Sequence, residues 1–131
     1  MVTKFLYLSF VTAVFSKLYD LDTISSIFIS PNSSAKMQIT SNPTTGYSWR
    51  LIPPDSFPIK CPNPSGTFIA ANTLALGAPG KQIFELICTT ECHEGDTETL
   101  TLIYSRPWEK EPVQFKTITV TVTFDADQIN N

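Results

Sequence analysis

Ile118-Thr119-Val120-Thr121-Val122-Thr123-Phe124 alternates between apolar and hydroxyl side chains without a break. In an extended chain successive side chains point to opposite faces, so Ile118, Val120, Val122 and Phe124 share one face and the threonines the other. That is a half-buried strand with one wet face. Upstream, Glu98 to Tyr104 places Leu100, Leu102 and Tyr104 together, and Tyr47 to Ile52 does the same for Tyr47, Trp49 and Leu51. Lys81 to Thr89 is a further strand. Ser26 to Ser30, Lys36 to Thr40 and Thr67 to Ala71 are shorter candidates, the first two separated by the turn Pro31-Asn32-Ser33-Ser34. Proline cannot supply a ladder donor, so Pro53-Pro54 ends the strand before it, and residues 53–66, with five prolines, read as irregular. Seven short strands separated by turn signals predict an all-β fold, a β-sandwich in a single domain.

The composition agrees. A chain of 131 residues, 42% hydrophobic and 16% charged, has the length for one core and the apolar content to fill it. The net charge of -3, with no basic run, excludes nucleic acid as a partner class. Residues 1–16 read as a secretory signal peptide. Lys4 supplies the positive start, Phe5 to Phe15 is an apolar run too short to span a membrane, and Ser16 is a small residue suited to the cleavage position. The sandwich domain then covers residues 17–131, with no stable membrane insertion after removal of the leader.

Entry to the secretory pathway permits disulfides. Cys61, Cys88 and Cys92 form at most one pair and leave one thiol, and spacing does not choose the pair. Cys88 follows Ile83-Phe84-Glu85-Leu86-Ile87 and reads as a buried strand residue, whereas Cys61 and Cys92 read as loop-borne. Asn32-Ser33-Ser34 is an acceptable glycosylation sequon; Asn42-Pro43-Thr44 is not, because proline occupies its middle position.

Three segments between strands combine stiffness with groups suited to a surface. In Asn42-Pro43-Thr44-Thr45-Gly46-Tyr47, Pro43 fixes its own φ, Gly46 permits positive φ, and the two threonine hydroxyls stand on a turn that costs little entropy to bind. In isolation it is an ordinary structural turn. Gly77-Ala78-Pro79-Gly80 is a hairpin connection when taken alone. It is no phosphate loop, which requires glycine at Ala75 and a hydroxyl at Gln82. Arg106-Pro107-Trp108 sets a planar donor and a large ring on either side of a rigid proline, and Arg and Trp are the residue types most enriched in interface hot spots.

In this order the three segments resemble the inhibitory loops of the chagasin family, which blocks papain-like cysteine peptidases. That family carries an Asn-Pro-Thr-Thr-Gly-aromatic loop, a Gly-x-Gly-Gly loop and an Arg-Pro-Trp loop. The match covers roughly residues 18 to 124 and departs at Pro79, where the family has glycine. The resemblance implies an immunoglobulin-like β-sandwich, a monomer, with its three loops clustered at one end as a wedge. It implies that Asn42, Pro43, Thr44, Thr45, Gly46 and Tyr47 sit over the catalytic cysteine of a peptidase, with Thr44 nearest. Gly77, Ala78, Pro79 and Gly80, and Arg106, Pro107 and Trp108, would flank them. Binding would be tight and reversible, without a cofactor or a metal. The signal segment places the protein in the secretory pathway, in a lysosome- or phagosome-type vesicle or the extracellular space.

An enzyme or metal reading rests on Cys88-x3-Cys92-His93, which lacks a fourth ligand and the usual spacing. His93 among Glu91, Glu94 and Asp96 reads instead as a solvated turn. A different class of function, an adhesion or ligand-binding sandwich without anti-peptidase activity, shares the fold, because sandwiches host many functions. Inhibition of papain separates the two.

Overall fold

The computed structural model describes residues 17–52, 58–71 and 78–126. They build nine strands: β1 Lys17–Asp20, β2 Ser26–Ile29, β3 Ser34–Ser41, β4 Ser48–Ile52, β5 Ile59–Lys60, β6 Thr67–Ile69, β7 Gly80–Cys88, β8 Thr97–Ser105 and β9 Gln114–Val122. One sheet runs β1-β3-β7-β5, with β6 also paired along β7, and the other runs β2-β9-β8-β4. β1 lies parallel to β3 and β2 parallel to β9; every other pairing is antiparallel. This is the immunoglobulin-like sandwich that the resemblance implied.

The period-two pattern decides what faces the core. Ala35, Met37 and Ile39 of β3 and Phe84, Leu86 and Cys88 of β7 are buried from one sheet. Trp49 and Leu51 of β4, Leu100 and Leu102 of β8, and Ile118, Val120 and Val122 of β9 meet them from the other. Each such Leu, Ile, Val or Phe contributes about 1.5–3 kcal/mol on burial, enough in sum to hold two sheets face to face.

Three expectations need correcting. Phe124 is 71% exposed instead of sharing the buried face. Val122 and Thr123 are both buried, so the alternation slips by one residue after β9 ends. Glu94 causes the slip, since its carboxylate accepts from the Phe124 N–H at 2.8 Å and the Thr123 hydroxyl at 3.0 Å. The stretch expected to be irregular holds β5, which pairs Ile59 with Cys88. β1 also had no place in the seven-strand reading. Residues 53–57, 72–77 and the expected signal segment, 1–16, lie outside the described residues.

Cys88 and Cys92 form a disulfide across the turn after β7, which leaves Cys61 as the free thiol. The bond occupies both thiols of the Cys88-x3-Cys92-His93 pattern. His93 is solvent-exposed, and its backbone N–H donates to Asp96 at 2.9 Å, as a solvated turn requires. Burial pushes the Cys61 thiol above its ordinary pKa.

Candidate functional site

Strand register brings the three segments to one end of the sandwich. Ser41, the last residue of β3, pairs with Gly80, the first of β7. Ser48, the first residue of β4, pairs with Ser105, the last of β8. The 42–47 segment therefore crosses from one sheet to the other at the point where the 78–80 segment arrives and the 106–108 segment leaves. It lies between them.

The crossing segment is built from its own side chains. Pro43–Thr45 form a 3₁₀ turn, closed by the Thr45 N–H on the Asn42 carbonyl at 3.3 Å. The Thr45 hydroxyl donates to the same carbonyl at 2.9 Å, and the Thr44 hydroxyl donates to Asn42 Oδ1 at 2.6 Å. Both threonines are exposed while their hydroxyls are already engaged, so the turn holds its shape before any partner arrives. Gly46 follows at φ 86°, in the left-handed region that glycine enters at little cost. A Cβ there would stand 2.8 Å from the Trp108 ring, so the first and third segments touch through a position where only glycine fits.

Arg106 joins those two segments. Its guanidinium lies 4.3 Å from the centre of the Tyr47 ring and 5.7 Å from that of Trp108. Tyr47 in turn stacks on Tyr104 at 5.3 Å, and Tyr104 rests on Trp49 at 4.7 Å. A continuous column thus runs from the buried Trp49 up to Trp108, which is 69% exposed. Aromatic pairs and a cation over a ring each add roughly 0.5–1.5 kcal/mol beyond simple burial. Arg106 also closes a short turn, with the Glu109 N–H on its carbonyl at 3.1 Å and the Glu109 carboxylate 3.9 Å from its guanidinium. Within this loop Trp108 is the outward group and Arg106 the one that braces it.

The middle segment is divided. Gly77 lies outside the described residues, Ala78 is half-buried and Pro79 is exposed. Gly80 is buried in β7, and any Cβ there would collide with the Ile69 carbonyl and the Phe68 ring of β6. It is the root of the loop, made glycine by the close approach of β6.

Side chains below the loops fix the two sheets to each other. Gln82 is 4% exposed, and its amide accepts from the Trp49 N–H at 3.0 Å and donates to the Trp49 carbonyl at 2.6 Å, across the sandwich. It also donates to the Ser65 carbonyl at 2.7 Å. The Trp49 indole N–H returns to the Thr40 carbonyl at 3.0 Å. Beside this, Asp22 accepts from the Thr40 N–H, the Thr40 hydroxyl and Lys81 at 3.0, 2.6 and 2.7 Å. Partial burial pushes the Asp22 carboxyl up, but the bonds from Lys81 and Thr40 outweigh it and hold the group at about 2. Its bond to Lys81 raises the lysine in return. Thr40 and Lys81 stand at the roots of the first and second loops, so this clamp braces both.

Sequence reasoning missed Gln82, Tyr104's place in the column and Asp22. Gln82 carried a signal, as a polar residue in the apolar phase shared by Phe84 and Leu86. Asp22 carried none.

Comparisons with known proteins bear directly on this arrangement. Residues 29–122 match the model of the chagasin family peptidase inhibitors, I42. Amoebiasin-2 of Entamoeba histolytica is 33% identical over an alignment of 107 positions that covers 75% of this chain and 77% of that protein. Among solved structures, the cysteine protease inhibitor EhICP2 of Entamoeba histolytica is 28% identical, with a TM-score of 0.62 over 81% of this chain and 94% of its own. Amebosin, at 23% identity and a TM-score of 0.56, shares the fold over 82% of this chain and 96% of its own. The family match spans the strands that carry all three loops, and with it the chain belongs to the chagasin family of peptidase inhibitors.

Proposed function

We propose that the protein is a tight, reversible inhibitor of papain-like cysteine peptidases that acts by occluding the active-site cleft with its three loops, and that it carries out no catalysis of its own. The observation that carries this reading is the meeting of the loops at one end, braced by the Arg106 column and by the bridges beneath. Family membership and the likeness to the cysteine protease inhibitor EhICP2 support it. Peptidase–inhibitor interfaces bury about 1,600 Å² in all and reach high affinity because both surfaces are pre-organised. A 3₁₀ turn also explains why such a loop blocks without being cut. The Asn42 carbonyl curls into local hydrogen bonds with the Thr45 N–H and hydroxyl, whereas a scissile peptide must lie extended across the cleft.

In this reading Asn42, Pro43, Thr44, Thr45, Gly46 and Tyr47 enter the cleft, with Thr44 nearest the catalytic cysteine. Ala78 and Pro79 cover one side, and Trp108 the other. The test is a set of inhibition constants against papain, with trypsin as the control. Wild type inhibits papain reversibly and leaves trypsin untouched. Trp108→Ala loses roughly thirtyfold or more, because truncating a desolvated ring commonly costs more than about 2 kcal/mol. Thr44→Asp is weaker still, because it buries an unpaired carboxylate. Pro79→Gly changes little. Full inhibition by both Thr44→Asp and Trp108→Ala refutes the wedge; no inhibition by wild type favours a binding module of another kind.

We also infer that residues 1–16 direct entry to the secretory pathway, on the strength of Lys4, the apolar run Phe5 to Phe15 and Ser16. The Cys88–Cys92 disulfide is in keeping with an oxidising compartment. Amino-terminal sequencing of the native protein checks this. A start near Lys17 supports it, and a start at Met1 or Val2 overturns it.

A further inference from the structure

We propose that Asn32 is an N-glycosylation site whose sugar sits at the pole of the sandwich opposite the three loops. Asn32-Ser33-Ser34 has the acceptor pattern, and the fold sets it where a large polar group is carried without cost. Asn32 is exposed at the tip of the turn between β2 and β3, with φ at 58°. Among the described residues no hydrogen bond ties down its side-chain amide. The residues around it are fixed without it. The Ser33 hydroxyl donates to the Ser30 carbonyl at 2.5 Å, and the Cys88 N–H donates to the Ser33 carbonyl at 2.8 Å. A sugar on Asn32 therefore displaces nothing.

The position is distant from the inhibitory edge. β3 and β7 pair from Ser34 with Ile87 at this pole to Ser41 with Gly80 at the other. At about 3.4 Å per residue, that register separates the two ends by about 24 Å. Two further triplets in the chain have an asparagine followed two residues later by a hydroxyl, Asn42-Pro43-Thr44 and Asn63-Pro64-Ser65. The first lies in the crossing loop, and the second sits against Gln82 beneath the loops, through Ser65. Both carry proline in the middle position, which blocks transfer. The pattern is open at the far pole and closed at the two places near the wedge.

The reaction needs a lipid-pyrophosphate-linked oligosaccharide, the sugar donor of the secretory pathway. The Asn32 Nδ2 forms a bond to the anomeric carbon, the bond from that carbon to the pyrophosphate oxygen breaks, one amide proton is lost, and lipid pyrophosphate leaves. Nothing is oxidised or reduced. The proposal rests on secretory entry and is independent of the inhibitor reading.

The experiment expresses the full chain in cultured animal cells and maps the purified protein by mass spectrometry, with and without a peptide-N-glycosidase that converts glycosylated asparagine to aspartate. The expected result is glycosidase-dependent conversion at Asn32. Asn32→Gln and Ser34→Ala abolish it, whereas Ser34→Thr keeps it, which separates loss of the acceptor hydroxyl from a folding defect. Papain inhibition is the same before and after sugar removal. Secreted protein with an unmodified Asn32 overturns the proposal. Weaker inhibition by the glycosylated form overturns the polar placement. Protein held in the cytosol, unmodified yet inhibiting papain, overturns secretory entry and glycosylation together and leaves the inhibitor reading standing.

Discussion

Arg106 is the residue whose surroundings say most about how the edge is built. Its guanidinium lies against the Tyr47 and Trp108 rings, and its Nε is buried without a hydrogen-bond partner among the described residues. Ring faces therefore do the holding. Arg106→Ala removes that contact, worth about 1 kcal/mol, so the melting temperature falls by roughly 4 °C, and papain inhibition weakens because Trp108 loses its brace. Arg106→Lys recovers only part of the loss, because an ammonium group does not stack as a planar guanidinium does. Gly46→Ala is more damaging. It strains a left-handed position and drives a methyl into Trp108, so it costs about 1 kcal/mol or more in stability and displaces the ring. Tryptophan fluorescence and the inhibition constant report both effects. The motif Arg106-Pro107-Trp108 was legible in the sequence as a surface pair. That the arginine braces and the tryptophan projects was not, because the difference depends on Tyr47 arriving from another loop.

At the scale of elements, the bridges between β7 and β4 decide whether the loops share one rigid base. Gln82→Leu keeps the volume but abandons the Trp49 N–H and the Trp49 carbonyl in a buried place and drops the part-buried bond to the Ser65 carbonyl. Unsatisfied buried groups cost about 1–3 kcal/mol each, so the melting temperature falls by roughly 10 °C or more in calorimetry. Inhibition falls with it even at temperatures where the variant is folded, because the first and second loops lose their common anchor. The strands themselves were legible where burial alternates. β7, β8 and β9 each bury one face and wet the other, and their side chains record it. β1 and β5 left no such record. β1 buries Tyr19 alone, and β5 is two residues between prolines whose identity as a strand comes from its partner β7. Phe124 misled for a related reason. The chain continued to alternate, but Glu94, distant in sequence, captured its backbone and turned it out.

For the whole molecule, the Asp22 clamp predicts how stability follows acidity. The carboxyl sits near 2 in the folded protein against an ordinary 3.8, so the unfolded chain binds more protons between those values. Stability from the clamp is full above about pH 4 and is lost as pH falls through about 2. At about pH 5, as in acidic vesicles, the brace on the first two loops is intact. Urea unfolding should show Asp22→Asn less stable than wild type at neutral pH, with the gap narrowing between pH 4 and 2. A gap that stays constant to pH 2 counts against the assignment. The pairing of β2 with β9 has a consequence of another kind, in the order of events during synthesis. Ser26 to Ile29 emerge about ninety residues before their partners, Thr119 to Val122. Loop-closure entropy must be overcome before that contact gives anything back, so folding driven by such distant pairing is slow. The second sheet cannot close until β9 has been made. Until then β2 is an apolar segment with an open edge, exposed to other nascent chains and in need of protection by chaperones.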